Sequence, residues 1–400
     1  MRGLDEHRAA ALALAAPLAP VEVGLADALG LVLAADVRSD SLLPRWDNSA
    51  MDGYAVRRAD VLTVPVTLPV VAELAAGASG AVRVEPGSVA RIMTGAPIPP
   101  GADAVVPVEQ TDGGSTLVEL RAVPEPAAHI RRAGEDAVPG DLVLSAGDVL
   151  GPAHIGALAS TGRATVWVHR RPRIAVISTG DELVAPGEPL VRGQLPDSNS
   201  WLLAACVSEA GAQPVRLGPR PDDPAALLDL LLALDADPQI DGIVTSGGVS
   251  MGEYDVVKAA LLSQPRVEFV PVAVQPGKPQ GLGRLPASTP IWTLPGNPVS
   301  TFASFEVFVR PALLRMRGLA AVERPTVRAV ADEAWRTPPG RAQLMPVRFV
   351  GDGHVVPATA RGSGSHLVAR LALAQGLAVI PAEVDEVVVG DLLPVLKVVP

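Results

Sequence analysis

The stretch TSGGVSMGEYD, residues 245–255, directly follows the apolar run DGIV. It brings Ser246, Gly247, Gly248 and Ser250 within a few positions of two carboxylates, Glu253 and Asp255. Glycines lack a Cβ, so their backbone N–H groups can approach an oxyanion closely, and a helix start behind them adds the positive end of its dipole. Carboxylates attract cations instead. A loop that offers both suits a phosphate together with that phosphate's metal ion, and Mg²⁺ takes this mixed set of carboxylate and phosphate oxygens. Two further turns have related chemistry: STGDEL, with Asp181 and Glu182, and LPGNPVS, with Pro295, Gly296, Asn297, Pro298 and Ser300. The segment QPGKPQG adds the ammonium group of Lys278. Each has a plainer reading. A glycine pair makes a tight turn, Asp181, Glu182 and Asp255 serve as helix N-caps, and Asn297 caps a helix whose first residue is Pro298. On that reading LPGNPVS is architecture; on the other it is a rigid pocket wall. Caps alone require neither a lysine nor an anion nest beside them, so the convergence of these loops favours a phosphate–metal site.

The elements that must position these loops are legible as alternation. Between Arg173 and Arg317 the runs RIAVIS, PVRLG, DGIVTS, VEFVPV and PIWTL read as strands. The longer runs SNSWLLAACVSEA, DDPAALLDLLLAL, YDVVKAALLS and VSTFASFEVFVRPALLRM read as helices. Such alternation predicts a doubly wound, mostly parallel sheet with helices on both faces, and in that architecture ligands bind at the carboxyl ends of the strands. STGDEL, TSGG and LPGNP all leave strands at that end. The central α/β domain is assigned to residues 171–321. Residues 42–139 carry short β-like runs broken by Gly and Pro and read as an inserted β-rich domain. Residues 1–41 and 140–170 contain the helical segments HRAAALALAA and PAHIGALAS and are expected to pack together as a helical linker domain. Residues 322–400 hold short strands that suggest a small C-terminal β-barrel. The whole is an α/β multidomain chain.

Bulk properties narrow the partners. The net charge of −10 and pI near 5.2 argue against a nucleic-acid partner, which requires a basic face. With 48% hydrophobic residues there is material for real cores. The single cysteine, Cys206, permits no disulfide framework or thiolate zinc cluster and lies in an apolar helical pattern. The alanine-rich N-terminus, with Asp5 and Glu6 where a signal peptide has positive charge, reads as an ordinary first helix. No uninterrupted apolar run approaches the roughly 20 residues of a membrane span. The expectation is a cytoplasmic protein.

In chain order the motifs NSAMDGYAVR, IMTGAPIPPGAD, IRRAGED, STGDEL, TSGGVSMGEYD, PGKP, LPGNPVS and GSGSH closely resemble those of the molybdopterin molybdenumtransferases, the bacterial MoeA proteins and the gephyrin E domain. The resemblance runs over essentially the whole chain. It implies a Mg²⁺-assisted transferase of molybdenum cofactor biosynthesis that takes adenylylated molybdopterin and molybdate, inserts molybdenum at the dithiolene sulfurs and releases AMP. It also implies a homodimer, each active cleft lying between the α/β domain of one subunit and the β-rich insert of the other. Carried over by motif, Asp52, Thr94, Asp136, Glu182 and Asp255 occupy catalytic positions, with Glu182 and Asp255 on the metal. Ser246, Gly247, Gly248 and Ser250 cradle phosphate, and Lys278 holds oxyanions. Pro295 and Pro298 match the two prolines of their motif, and Ser300, Arg341 and Ser365 come from facing segments. Asp222 or Asp223 matches a further acidic position. One departure stands out: the family often has a basic residue where this chain has Gln275, which donates a hydrogen bond but carries no charge. The alternatives are an enzyme of the adenylylating step and a non-catalytic scaffold or binding protein of the same family.

Overall fold

The computed structural model describes residues 1–78, 82–249, 255–358 and 368–398. At its centre lies a six-stranded sheet built from β1 (Arg173–Ser178), β2 (Gln213–Arg216), β3 (Gly242–Ser246), β4 (Val267–Pro271), β5 (Pro279–Arg284) and β6 (Pro290–Leu294). The strand order is β2-β1-β3-β6-β5-β4. The first four strands run parallel, whereas β5 and β4 are added antiparallel. Parallel strands covered on both faces are apolar over successive positions, as Ile174–Ile177 and Ile243–Val244 are, with polar residues at the strand ends. Alternate side chains divide between two cores. Ile174, Val176, Val244 and Trp292 meet α1 (Asn199–Glu209) on one face, while Ala175, Ile177, Ile243 and Ile291 meet α2 (Pro224–Ala236) and α3 (Val256–Leu261) on the other. Cys206 is buried in the first of these cores, where burial pushes its thiol well above the usual range, so it is an inert packing residue.

After β6 the chain forms α4 (Pro298–Ser304), widens into a π-helical turn over Phe305–Val309, and continues as α5 (Arg310–Met316). That turn carries Glu306 inward, where it is 3% exposed. The connection to the C-terminal domain supplies its partner: Arg324 donates to Glu306 through Nε at 2.7 Å and Nη2 at 3.2 Å, and also reaches Glu209 at 2.7 Å. The C-terminal domain is a closed five-stranded barrel of β7 (Thr326–Ala331), β8 (Ala342–Gly351), β9 (His354–Pro357), β10 (Gly376–Ile380) and β11 (Leu392–Lys397). A two-residue strand, Val274–Gln275, pairs with Ala342 and Gln343 of β8 and joins the barrel to the α/β domain.

The flanking segments differ from expectation in one respect. Residues 20–41 and 140–170 do come together, but largely as strands: Thr165–His169 lies between Pro20–Gly24 and Val32–Leu33, with helix Pro152–Ser160 packed against them through Leu158. The helix Leu4–Ala13 leaves this unit and packs on the α/β domain. There the ring of His7 stands edge-on to Phe308 with centroids 4.7 Å apart, and the Trp292 indole donates to the Ala11 carbonyl at 3.3 Å. An alanine-rich helix has little apolar face of its own, so a large aromatic surface elsewhere decides where it sits. Between the two halves of the linker unit hangs the inserted domain, a five-stranded sheet of Ala104–Pro107, Gly53–Val56, Val89–Ile92, Val66–Leu74 and Leu117–Leu120. It is attached through the antiparallel pairing of Val37–Arg38 with Leu142–Leu144.

Candidate functional site

In register, Ser178 of β1 stands beside Ser246 of β3, which stands beside Leu294 of β6, so three strands end level. The loops beyond them meet as the floor of a cleft of about 1500 Å³. Gly247 has φ +102°, and a Cβ there would stand 2.8 Å from the Thr179 carbonyl oxygen; Gly248 has φ +62°, and its Cβ would stand 2.8 Å from the Val257 nitrogen. Both positions therefore exclude side chains. The anion nest is narrower than the glycine pair suggested, however, because the Gly247 N–H donates to the Leu294 carbonyl at 3.1 Å. Among the described residues the N–H groups of Gly248 and Val249 have no acceptor.

Beneath the floor a polar frame holds the loops. Ser246 is 1% exposed; its hydroxyl accepts from Asn199 Nδ2 at 2.9 Å and donates to the Pro295 carbonyl at 3.1 Å, so it braces two strand ends. Thr301 Oγ1 donates to the same Pro295 carbonyl at 2.7 Å. Asp197, fully buried, accepts from Ser178 Oγ at 2.9 Å and from Ser200 Oγ at 2.5 Å. Pro298 opens α4, as its fixed φ favours. Asn297 stands at the N-cap of α4 and Asp255 at that of α3, yet neither side chain makes a capping bond. The plainer reading of these two residues fails on that geometry.

The cleft carries charges of both signs. Glu182, Asp222 and Asp255 are its acids besides the buried Asp197. The Asp222 N–H donates to Asp181 Oδ1 at 3.0 Å, and burial, together with the charges of Asp181 and Glu182, pushes the Asp222 carboxyl above its usual range. Asp223, its neighbour, caps α2 by accepting from the Ala225 and Ala226 N–H groups, which separates the two acids that sequence left unranked. Asp255 Oδ2 is buried without a partner. Lys278, Arg336 and Arg341 line the cleft and, among the described residues, pair with no acid. Ser300 and Gln275 complete the set of expected lining residues found here. Ser250, Glu253 and Ser365 lie outside the described residues. Among those described, no group of three or more His, Cys, Asp and Glu is arranged around a metal position.

Asp52, Thr94 and Asp136 lie in the inserted domain, outside the cleft of their own chain. Asp52 is exposed, and its Oδ1 accepts from both the N–H and the hydroxyl of Thr94 at 2.7 Å, which holds the carboxyl below its usual range. Asp136 is also exposed, its N–H donating to the Leu43 carbonyl at 2.8 Å. Sequence reasoning missed Thr179, Asp197, Asn199 and Arg336 as cleft residues. Asp197 and Asn199 look like ordinary helix-start chemistry in PDSNS, and Arg336 belongs to a two-residue strand without a period.

Three sequence families match the chain. Residues 2–162 match the MoeA N-terminal region (domain I and II), residues 175–315 a probable molybdopterin binding domain, and residues 328–398 the MoeA C-terminal region (domain IV). Molybdopterin molybdenumtransferase 2 of Mycobacterium tuberculosis is 46% identical over 99% of each chain. Molybdopterin molybdenumtransferase 1 of the same organism is 36% identical over 99% of this chain and 98% of its own. The crystal structure of the molybdopterin biosynthesis MoeA protein from Pyrococcus horikoshii superimposes with a TM-score of 0.85 at 30% identity, covering 99% of this chain and 98% of that one. Among the described residues no helix is long and apolar enough to cross a membrane.

Proposed function

This chain belongs to the MoeA family, the molybdopterin molybdenumtransferases of molybdenum cofactor biosynthesis, and from that premise we propose that its cleft binds adenylylated molybdopterin and molybdate, transfers molybdenum to the pterin dithiolene and releases AMP. The observation that carries this reading is one cleft lined both by the acids Glu182, Asp222 and Asp255 and by Lys278, Arg336 and Arg341, with the Gly247–Gly248 turn in its floor. A diphosphate and an incoming oxyanion need both kinds of group: acids for a cation that neutralises the leaving group, bases for the attacking anion.

The cleft acids fit Mg²⁺. The unpartnered, buried Oδ2 of Asp255 is an acceptor in want of a positive charge, and a cation would offset the burial and the neighbouring acids that raise Asp222. Glu182 and Asp255 would hold the ion together with substrate oxygens, since among the described residues these side chains form no cage of their own. Bound there, Mg²⁺ supplies charge neutralisation on the diphosphate as AMP departs. Lys278, Arg336 and Arg341 orient molybdate by charge-assisted hydrogen bonds. The N–H groups of Gly248 and Val249 fix a phosphate oxygen. In a homodimer Asp52, Thr94 and Asp136 reach the neighbouring subunit's cleft. Thr94 keeps Asp52 ionised there as a fixed acceptor that orients substrate. The proposal implies a reducing, cytoplasmic setting, with which a single buried, inert cysteine is compatible.

The test is AMP release from adenylylated molybdopterin in the presence of molybdate and Mg²⁺. Asp255→Ala lowers the rate by at least about a hundredfold. Undiminished turnover in that variant removes the cleft acids from the reaction, and dependence on ATP in place of molybdate assigns the chain to the adenylylating step.

A further inference from the structure

The chain beyond β1 leaves the cleft and returns to it as a strap. Leu183 and Val184 pair with Leu195 and Pro196, and the N–H groups of Leu195 and Asp197 donate to the Glu182 and Val184 carbonyls, both at 2.8 Å. Glu182, Leu183, Leu195 and Pro196 line the cleft, so the base of the strap belongs to its wall. Between the two arms every residue from Ala185 to Gly193 is exposed.

Among the described residues nothing beyond that base holds the strap. Its hydrogen bonds are internal: the Glu188 N–H donates to the Ala185 carbonyl at 3.2 Å, the Gln194 N–H to the Val191 carbonyl at 3.0 Å, and the Val191 N–H to Gln194 Oε1 at 3.1 Å. Glu188 and Arg192 enter no ion pair among those residues. Gly187 and Gly193 make its turns at φ +97° and +98°, with open space where a Cβ would stand. Pro186 and Pro189 each fix a further φ. The strap is stiff within itself and tied only at its ends, so it can swing as a unit about Ala185 and Gln194 with little loss of chain entropy.

Its tip is apolar. Leu190 is 51% and Val191 66% exposed, adjacent to each other between Pro189 and Arg192. A single exposed apolar side chain needs no explanation. Two together at the end of an arm rooted in a ligand cleft have, within reach, a surface that removes them from water. Val191 stands four residues from Leu195, a span of about 13 Å, against an edge of about 11 Å for a cube of the cleft's 1500 Å³. Pro339 and Val368 of the C-terminal domain line the same cleft and are themselves exposed, which gives the tip an apolar seat.

A cover also answers a need of the proposed reaction, on which this inference rests. Water attacking the diphosphate would give AMP and the pterin phosphate with no molybdenum moved, so a transferase gains from excluding bulk water while the substrates are bound. We propose that residues 185–194 are a lid that closes over the ligand-filled cleft and seats Leu190 and Val191 against Pro339 and Val368.

Cys206 is buried and inert, so a cysteine introduced at the tip is the one accessible thiol of the chain. Maleimide labels Val191→Cys in the full-length chain, and Val389→Cys, on a turn of the C-terminal domain and matched at 65% exposure, serves as control. AMP with Mg²⁺ slows labelling of the tip about fivefold, as a lid closed four-fifths of the time would, and leaves the control unchanged. Val191 does not line the cleft, so the nucleotide shields it by moving the lid. A second variant, Val191→Cys/Pro339→Cys, needs no ligand. Mild oxidation joins the two cysteines within one chain, which requires Cα atoms within about 7 Å. Unchanged labelling at saturating AMP overturns the lid, and so does the absence of that disulfide both with and without AMP. Shielding that grows with protein concentration and ignores AMP also overturns it, by assigning the tip to a contact between copies. Failure of AMP to bind in calorimetry would defeat the reading of the cleft, while the oxidation experiment still decides whether the strap closes.

Discussion

Replacing Arg324 with alanine tests how the barrel is fastened to the α/β domain. Glu306 is 3% exposed, held in the π-helical turn, and Arg324 grips it with two nitrogens. Removing one partner of a buried pair leaves a charge without compensation, at a cost of about 3–5 kcal/mol. Arg310 stays 3.9 Å from Glu306 and offsets part of the loss, so the lower end, about 3 kcal/mol, is expected. The Glu209 contact adds little, since that side chain is 42% exposed. Burial already raises the Glu306 carboxyl above its usual range, and loss of Arg324 raises it further. A carboxyl whose folded-state value is raised is best tolerated when protonated, so the penalty grows as pH rises through that value and shrinks as pH falls. Urea unfolding of both proteins at pH 6 and pH 8, followed by tryptophan fluorescence, reads the difference. Adding Glu306→Gln to the variant recovers most of the lost stability at pH 8. A penalty below about 1 kcal/mol with no pH dependence would refute the account, because an uncompensated buried carboxylate cannot be so cheap.

Gly247→Ala places a Cβ 2.8 Å from the Thr179 carbonyl at φ +102°, so the loop must move, with a stability loss of at least about 1 kcal/mol by urea unfolding and a larger loss of AMP affinity by calorimetry. The adjacent acids separate cleanly: Asp223→Ala costs about 1 kcal/mol of stability by loss of the α2 cap and leaves ligand affinity intact, whereas Asp222→Asn leaves stability unchanged or higher, because burial disfavours its charge, and weakens Mg²⁺-dependent binding.

How much of this was legible in the sequence depended on the range of the interactions involved. The phosphate loops could be found because their residue types are local necessities: glycine at φ +102° and +62°, proline at the first position of α4. Strand–helix alternation gave the central sheet for the same reason, since burial on both faces leaves its mark over successive strand positions. The seat of helix Leu4–Ala13 was not legible, because it is decided by Trp292 and Phe308, far along the chain. Nor was the role of Asn199, whose amide joins Ser246 to the Gly296 carbonyl, bonds that span 47 and 97 residues. Asp222 and Asp223 are chemically identical neighbours, and only the start of α2 distinguishes them. The Gly247 N–H was expected at an anion and instead closes a bond to β6.

The level ends of β1, β3 and β6 tie recognition to completeness of the chain's core. No consecutive segment contains the ligand floor; it comes into being only when the last of the three strands has docked beside the second. A nascent or partly unfolded molecule therefore has nothing to hold a substrate with, and any ligand that binds draws its affinity from the finished sheet, stabilising that sheet by an amount that grows with the logarithm of its concentration.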